Sequence, residues 1–143
     1  EREAKNRKLD GKIKTLVSDM LELPFADSSF DCALGFHSIF HTDYAGLKKV
    51  IAKISAMLKK SGQLYITFNS KGNPSFRASD NEVIDGYTII RHFGKEDGIP
   101  HTFLEHNDII GLLKDYQILK MQQIQDYYDK RTSIHFFVEA EKK

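Results

Sequence analysis

The chain has 143 residues, 41% of them hydrophobic, enough for one core and too few for two comfortable domains. Its net charge of +1, with both signs spread along the chain, gives neither a basic face for nucleic acid nor an acidic disordered tail. A single cysteine, Cys32, excludes an intramolecular disulfide and any multi-cysteine metal site, and its apolar surroundings in the sequence predict a buried, inert thiol. No apolar run approaches the ~18 residues of a membrane span, and the start EREAKNRK is not a secretory signal, so the expectation is a cytoplasmic protein without membrane contact.

In chain order, Glu1 to Leu9 is rich in helix formers and closes at Asp10-Gly11. Ile13, Leu16 and Val17 then predict a short strand over Lys14 to Val17. The loop LPFADSS leads to a second strand, Phe30 to Phe36. From Tyr44 to Lys60, Leu47, Val50, Ile51, Ile54, Met57 and Leu58 recur at helical spacing, and Ser61-Gly62 ends the helix. The segment QLYITFN is apolar on both faces, as a buried parallel strand is, so Phe30 to Asn69 reads as a strand, helix, strand crossover. Ser70 to His101 has scattered Gly and Pro and little periodicity, and predicts a long excursion over one end of the sheet, of the length that is usually functional or mobile. A short helix over Asn107 to Tyr116 and a strand around Ile118 to Gln125 follow. The last strand alternates Ile134, Phe136 and Val138 with His135, Phe137 and Glu139, and pairs antiparallel with its predecessor across DYYDKRT.

Ligands of open α/β sheets bind beyond the carboxyl ends of the strands, which directs attention to Ser18-Asp19-Met20, Phe36-His37-Ser38 and Asn69-Ser70-Lys71. A carboxylate only accepts hydrogen bonds, so Asp19 suits an exocyclic amino group, and Met20 a flat apolar ring. The competing reading of Asp19 is a cap on the following turn. Asp27 and Asp31 are read as turn-forming. His92, His106 and His135 are read as surface or satisfied, partly buried groups. No catalytic triad or metal cluster is evident, so catalytic residues stay unassigned and no metal is expected.

The run SDMLELPFADSSFDCALGFHSIFHT, the helix after it, and MLKKSGQLYITF resemble the downstream half of class I S-adenosylmethionine-dependent methyltransferases. The later run from NSKGNPSF to SIHFFVEAEKK is similar to the tellurite-resistance-type and small-molecule branch of that family. The resemblance implies an α/β, Rossmann-like methyltransferase sheet, mostly parallel with an antiparallel C-terminal strand. It also implies a cytoplasmic enzyme that uses S-adenosylmethionine on a small-molecule substrate. Asp19 and Met20 would bracket adenine, Phe36 and His37 would line the methionine end, and His41, Asn69 and His101 would sit near the substrate mouth. Arg91, with Phe76, Tyr87, Phe93 and Phe103, is a candidate for the wall of a pocket taking a flat or anionic compound.

The family's glycine-rich turn after strand one and its acidic residue after strand two have no counterpart in this sequence. In the family's strand order, 3-2-1-4-5-7-6, the strand over Lys14 to Val17 then has no neighbour, and the strand over Phe30 to Phe36 is a bare apolar edge. Three outcomes follow: the chain is one partial domain of a longer protein, the third strand moves beside the fourth, or two copies complete each other as a homo-oligomer. Two other function classes compete, a noncatalytic interaction or oligomerisation module and a nicotinamide-dependent Rossmann enzyme. The last predicts a parallel terminal strand.

Overall fold

The apolar repeat after Tyr44 forms the helix it predicts. In the computed structural model, which describes residues 11–92, 94–128 and 131–143, helix α1 is Tyr44–Met57 and buries Leu47, Val50, Ile51, Ile54 and Met57. Asp43 caps it, its carboxylate accepting the Gly46 N–H at 2.6 Å. A glycine is required at 46 by space, since a Cβ there would stand 2.1 Å from the Thr42 hydroxyl oxygen. The helix stops at Met57 instead of continuing to Lys60, and its last carbonyls are met from outside. The Ser28 and Ser29 N–H groups donate to Ala56 and Met57, each at 2.9 Å. The Lys142 ammonium donates to Ser55 and Leu58 carbonyls, each at 2.7 Å, a cation at the negative end of the helix dipole.

Strands β1 (Phe30–Gly35) and β2 (Leu58–Ser70) flank α1 in the chain and pair in parallel, Cys32 opposite Gln63 through Gly35 opposite Ile66. On the other edge of β2 lies β7 (Arg131–Lys142), antiparallel, Gln63 opposite Glu141 through Asn69 opposite His135. β6 (Tyr116–Tyr128) pairs antiparallel with β7. The resulting order β1-β2-β7-β6 is the 4-5-7-6 end of the order the resemblance implies. The antiparallel terminal pair also contradicts the nicotinamide-enzyme alternative, which required a parallel last strand.

The excursion from Ser70 to His101 is more structured than its composition suggests. A 3-10 turn at Pro74–Arg77 leads into β3 (Glu82–Val83), β4 (Thr88–Ile90), a second 3-10 turn at Gly94–Glu96 and β5 (Pro100–Leu104). The strands β3, β4 and β5 are successively antiparallel. β5 then joins β2 in parallel, with Asn69 opposite Phe103 and Ser70 opposite Leu104. Since β7 already holds the opposite edge, β5 continues the edge that β1 occupies lower down. Helix α2, His106–Leu112, ends before the predicted Tyr116, which is instead the first residue of β6. Leu64, Ile66 and Phe68 of β2, Phe136, Val138 and Ala140 of β7, and Leu104, Ile109 and Leu113 join the α1 residues in one core.

Two expectations fail. Lys14 to Val17 form no strand; Ile13 makes an isolated bridge, the segment after it has no regular structure, and Leu16 and Val17 are exposed. A β-branched run gains a strand from pairing and packing, and among the described residues no strand adjoins it. Nor has it moved beside β1, whose described partner is β2. Cys32 is exposed, not buried, because the outer face of β1 is uncovered among the described residues, with Leu34 and Phe36 also exposed. The helix expected over Glu1 to Leu9 lies outside the described residues. No described helix is long and apolar enough to cross a membrane.

Candidate functional site

Where β1 ends and β5 begins along the edge of β2, side chains take over from the backbone ladder. The chain leaves β1 through His37, which has a left-handed φ of 46°, a conformation uncommon outside glycine and concentrated at functional sites. Its N–H is held by the Thr67 hydroxyl at 2.7 Å. The loop then climbs to α1 and is pinned from the other side, the Phe40 carbonyl accepting the Thr102 N–H at 2.9 Å and the Tyr44 N–H donating to the Thr88 hydroxyl at 3.1 Å. The Asn69 amide reaches the Thr102 carbonyl at 3.4 Å. These cross-links position the Ser38-to-Thr42 loop and β5 beyond the carboxyl ends of the parallel strands, where a ligand cavity is expected.

A cavity of about 820 Å³ opens there. Its wall brings together five of the residues singled out in the sequence: His37, His41, Asn69, Arg91 and His101. Among the residues it adds, which sequence reasoning missed as site residues, are Phe40, Asn73, Glu96 and His135. Glu96 carried no signal beyond its place ahead of GIPH, but Gly98, at φ 74°, turns the chain so that Glu96 comes back to His101. His135 belonged to the set His135, Phe137 and Glu139 of the alternating last strand, and of these it is the one that lines the cavity. Phe103 also lines the wall and stacks on Phe76 at 5.0 Å between ring centres, while Tyr87 lies flat on Tyr44 at 4.1 Å. Those two contacts hold the excursion onto the sheet. Phe93 lies outside the described residues.

The remaining three candidates stand elsewhere. Asp19 is exposed and uses Oδ1 to accept the Leu21 N–H at 2.8 Å, the geometry of the capping alternative. Met20 is half-buried against the core. Phe36 lines a smaller cavity of about 290 Å³ together with Leu34, Tyr65 and Phe137.

Electrostatically the large cavity favours neutral imidazoles. Burial pushes His37 and His101 below the ordinary imidazole value. Burial and the neighbouring His37 ring, 4.3 Å away between centres, take His135 down to about 4. Arg91 donates to Glu96 Oε2 at 2.7 Å, so the cationic wall of the pocket is balanced within it. Neutral nitrogens, amides and one balanced ion pair suit a polar small molecule better than a strongly charged polymer.

Residues 1–66 match the family model for a methyltransferase domain. Among solved structures, a SAM-dependent methyltransferase from Methanosarcina mazei superposes with a TM-score of 0.73 at 17% identity, over 89% of this chain and 66% of that one. The chain has the class I methyltransferase fold. A second structure with this fold, the 1,6-didemethyltoxoflavin-N1-methyltransferase of Burkholderia thailandensis with bound 1,6-didemethyltoxoflavin and S-adenosylhomocysteine, gives a TM-score of 0.71 at 14% identity, covering 99% of this chain and 56% of the other. In sequence, 24-methylenesterol C-methyltransferase 2 of Arabidopsis thaliana is 28% identical over 92 residues, which are 64% of this chain and 24% of the relative. This chain therefore spans about a quarter of the curated relative, and 66% and 56% of these two solved methyltransferases. The resemblance read from the sequence, and the fold class it implied, are borne out.

Proposed function

We propose that the protein is an S-adenosylmethionine-dependent methyltransferase acting on a small-molecule acceptor, and that the 820 Å³ cavity beyond β1 and β2 receives that acceptor. The observation that carries this reading is the cavity's place: it opens at His37, where the chain turns out of the first parallel strand with a strained backbone. S-adenosylmethionine supplies an already activated methyl group, so the protein's part is placement of the acceptor and exclusion of water. The residues present fit such a cofactor. Asp19 keeps a second carboxylate oxygen beyond the one used for Leu21, Met20 and Phe36 offer apolar faces, and the His37 ring touches Phe36 edge to face while lining the large cavity. His41, Asn69, Arg91 and His101 hold the acceptor side. Asn69 is 4% exposed and donates to Thr102, keeping its amide oxygen for a donor on the acceptor molecule.

A second reading is favoured by the exposed apolar groups Leu34 of β1 and Phe36 just after it: this face is an interaction surface that pairs with further strands, from the same protein or a second copy.

Asp19→Asn tests the leading reading. Asparagine preserves the oxygen that closes the turn at Leu21 but replaces the other acceptor with a donor. A hydrogen bond to a charged group is worth about 1.5–3 kcal/mol, so S-adenosylhomocysteine affinity, measured by calorimetry, is expected to fall at least about tenfold. Unchanged affinity leaves Asp19 with the turn alone. Absence of binding by the unsubstituted protein removes the cofactor assignment.

A further inference from the structure

His101 is 3% exposed, and its Nδ1 lies 2.8 Å from the Ile99 carbonyl. A carbonyl only accepts, so Nδ1 carries the proton, and in the neutral ring Nε2 presents a lone pair. Among the described residues that Nε2 has no hydrogen-bond partner, yet Glu96 Oε2 stands 3.2 Å from it. A buried lone pair facing a carboxylate oxygen is an arrangement that a cation relieves. His41 approaches the same carboxylate, its Nε2 3.5 Å from Oε1, and the two imidazoles meet edge to face with centres 4.9 Å apart. The ligand atoms of His41, Glu96 and His101 all lie within 4.8 Å of one another.

The spacing has a chemical match. Neighbouring ligands of a tetrahedral ion with bonds of about 2.0–2.1 Å are about 3.3 Å apart; His101 meets Oε2 at 3.2 Å and His41 meets Oε1 at 3.5 Å, so either carboxylate oxygen can turn to an ion held between the two imidazoles. The surroundings of the cluster also resemble those of a metal centre. The Ile99 carbonyl fixes the tautomer and rotation of His101, and Arg91 orients the carboxylate by its bond to Oε2. The turn at Gly98, with Ile99 N–H donating to the Glu96 carbonyl at 3.2 Å, ties the acid to His101.

We propose that His41, Glu96 and His101 form a binding site for one divalent first-row metal ion. Two imidazole nitrogens and one carboxylate are the donor set of open zinc sites, which keep a fourth position for an exchangeable ligand. Here that position faces the cavity all three residues line, so the ion can hold an oxygen or nitrogen of a small molecule. The assignment rests on this cluster alone and stands apart from the methyl-transfer reading.

The test is metal binding. Chelator-treated protein is dialysed against Zn2+ for stoichiometry and titrated with Co2+, whose visible absorption reports low-coordinate nitrogen and oxygen ligation. One equivalent is expected, and His41→Ala and Glu96→Gln should each weaken binding at least about tenfold, with His106→Ala, an exposed imidazole away from the cavity, unchanged. Both cluster positions are partly exposed, and a thermal melt confirms that the variants fold. Failure of the unsubstituted protein to bind Co2+ or Zn2+ overturns the proposal and leaves His41, Glu96 and His101 as polar groups of the cavity wall alone. Binding retained in either folded cluster variant overturns it equally.

Discussion

Acidification tests the contribution of His135. This ring lies in β7 at 8% exposure, faces His37 and the Asp126 carboxylate, and meets the Ser133 hydroxyl at 3.3 Å. Its pKa is about 4 in the fold against 6.5 for the free side chain. The folded value is depressed, so the unfolded chain binds the extra proton between those two values. Stability is therefore fully present above the unfolded pKa and falls as the pH drops through the window. From pH 7.5 to 5.0 the proton-linkage relation gives a loss of about 2 kcal/mol. Water in the cavity screens part of the effect, and a loss of about 1–2 kcal/mol is expected. Urea unfolding of the unsubstituted protein and of His135→Gln at both pH values measures it, because groups remote from His135 cancel in the double difference, which leaves His135 with its coupled neighbour His37. His92, whose pKa is raised by Glu82 and Asp97, contributes with the opposite sign in both proteins. A loss between the two pH values that is equal in the two proteins refutes the account.

Lys142→Met removes the ammonium that closes α1 while leaving its apolar stem, and should cost about 1–3 kcal/mol through unmet carbonyls in chemical denaturation. Leu47→Ala empties a fully buried position of α1 and should cost about 2–5 kcal/mol in the same assay, with little refilling because Val50, Ile51 and Leu64 are held by their own elements.

The elements that sequence reveals are those whose burial repeats with their own period. α1 declared itself by Leu47, Val50, Ile51 and Ile54, and β7 by alternation. The strand expected at Lys14 to Val17 had the same local composition as a true strand and lacked a neighbour, which no local pattern records. β5 was hidden for the opposite reason: PHTFL begins with proline and pairs with β2 only at Asn69 and Ser70, so its place comes from long-range contacts to Phe40 and Tyr87. At the site, the histidines stood out as residue types, and five of eight candidates converge. Glu96 did not stand out, because exposed acids are common and only the turn at Gly98 makes this one a neighbour of His101.

The shared edge of β2 divides labour along the chain. Its lower half is bound by β1 and its upper end by β5, and the two never touch the same β2 residues. Residues 71–105 nonetheless lock onto that scaffold, through the bonds of Thr88 and Thr102 to Tyr44 and Phe40 and through the buried Leu104. A change in this segment therefore reshapes the cavity wall at Arg91, Glu96 and His101, while the β1–β2 and β2–β7 ladders are built from other residues.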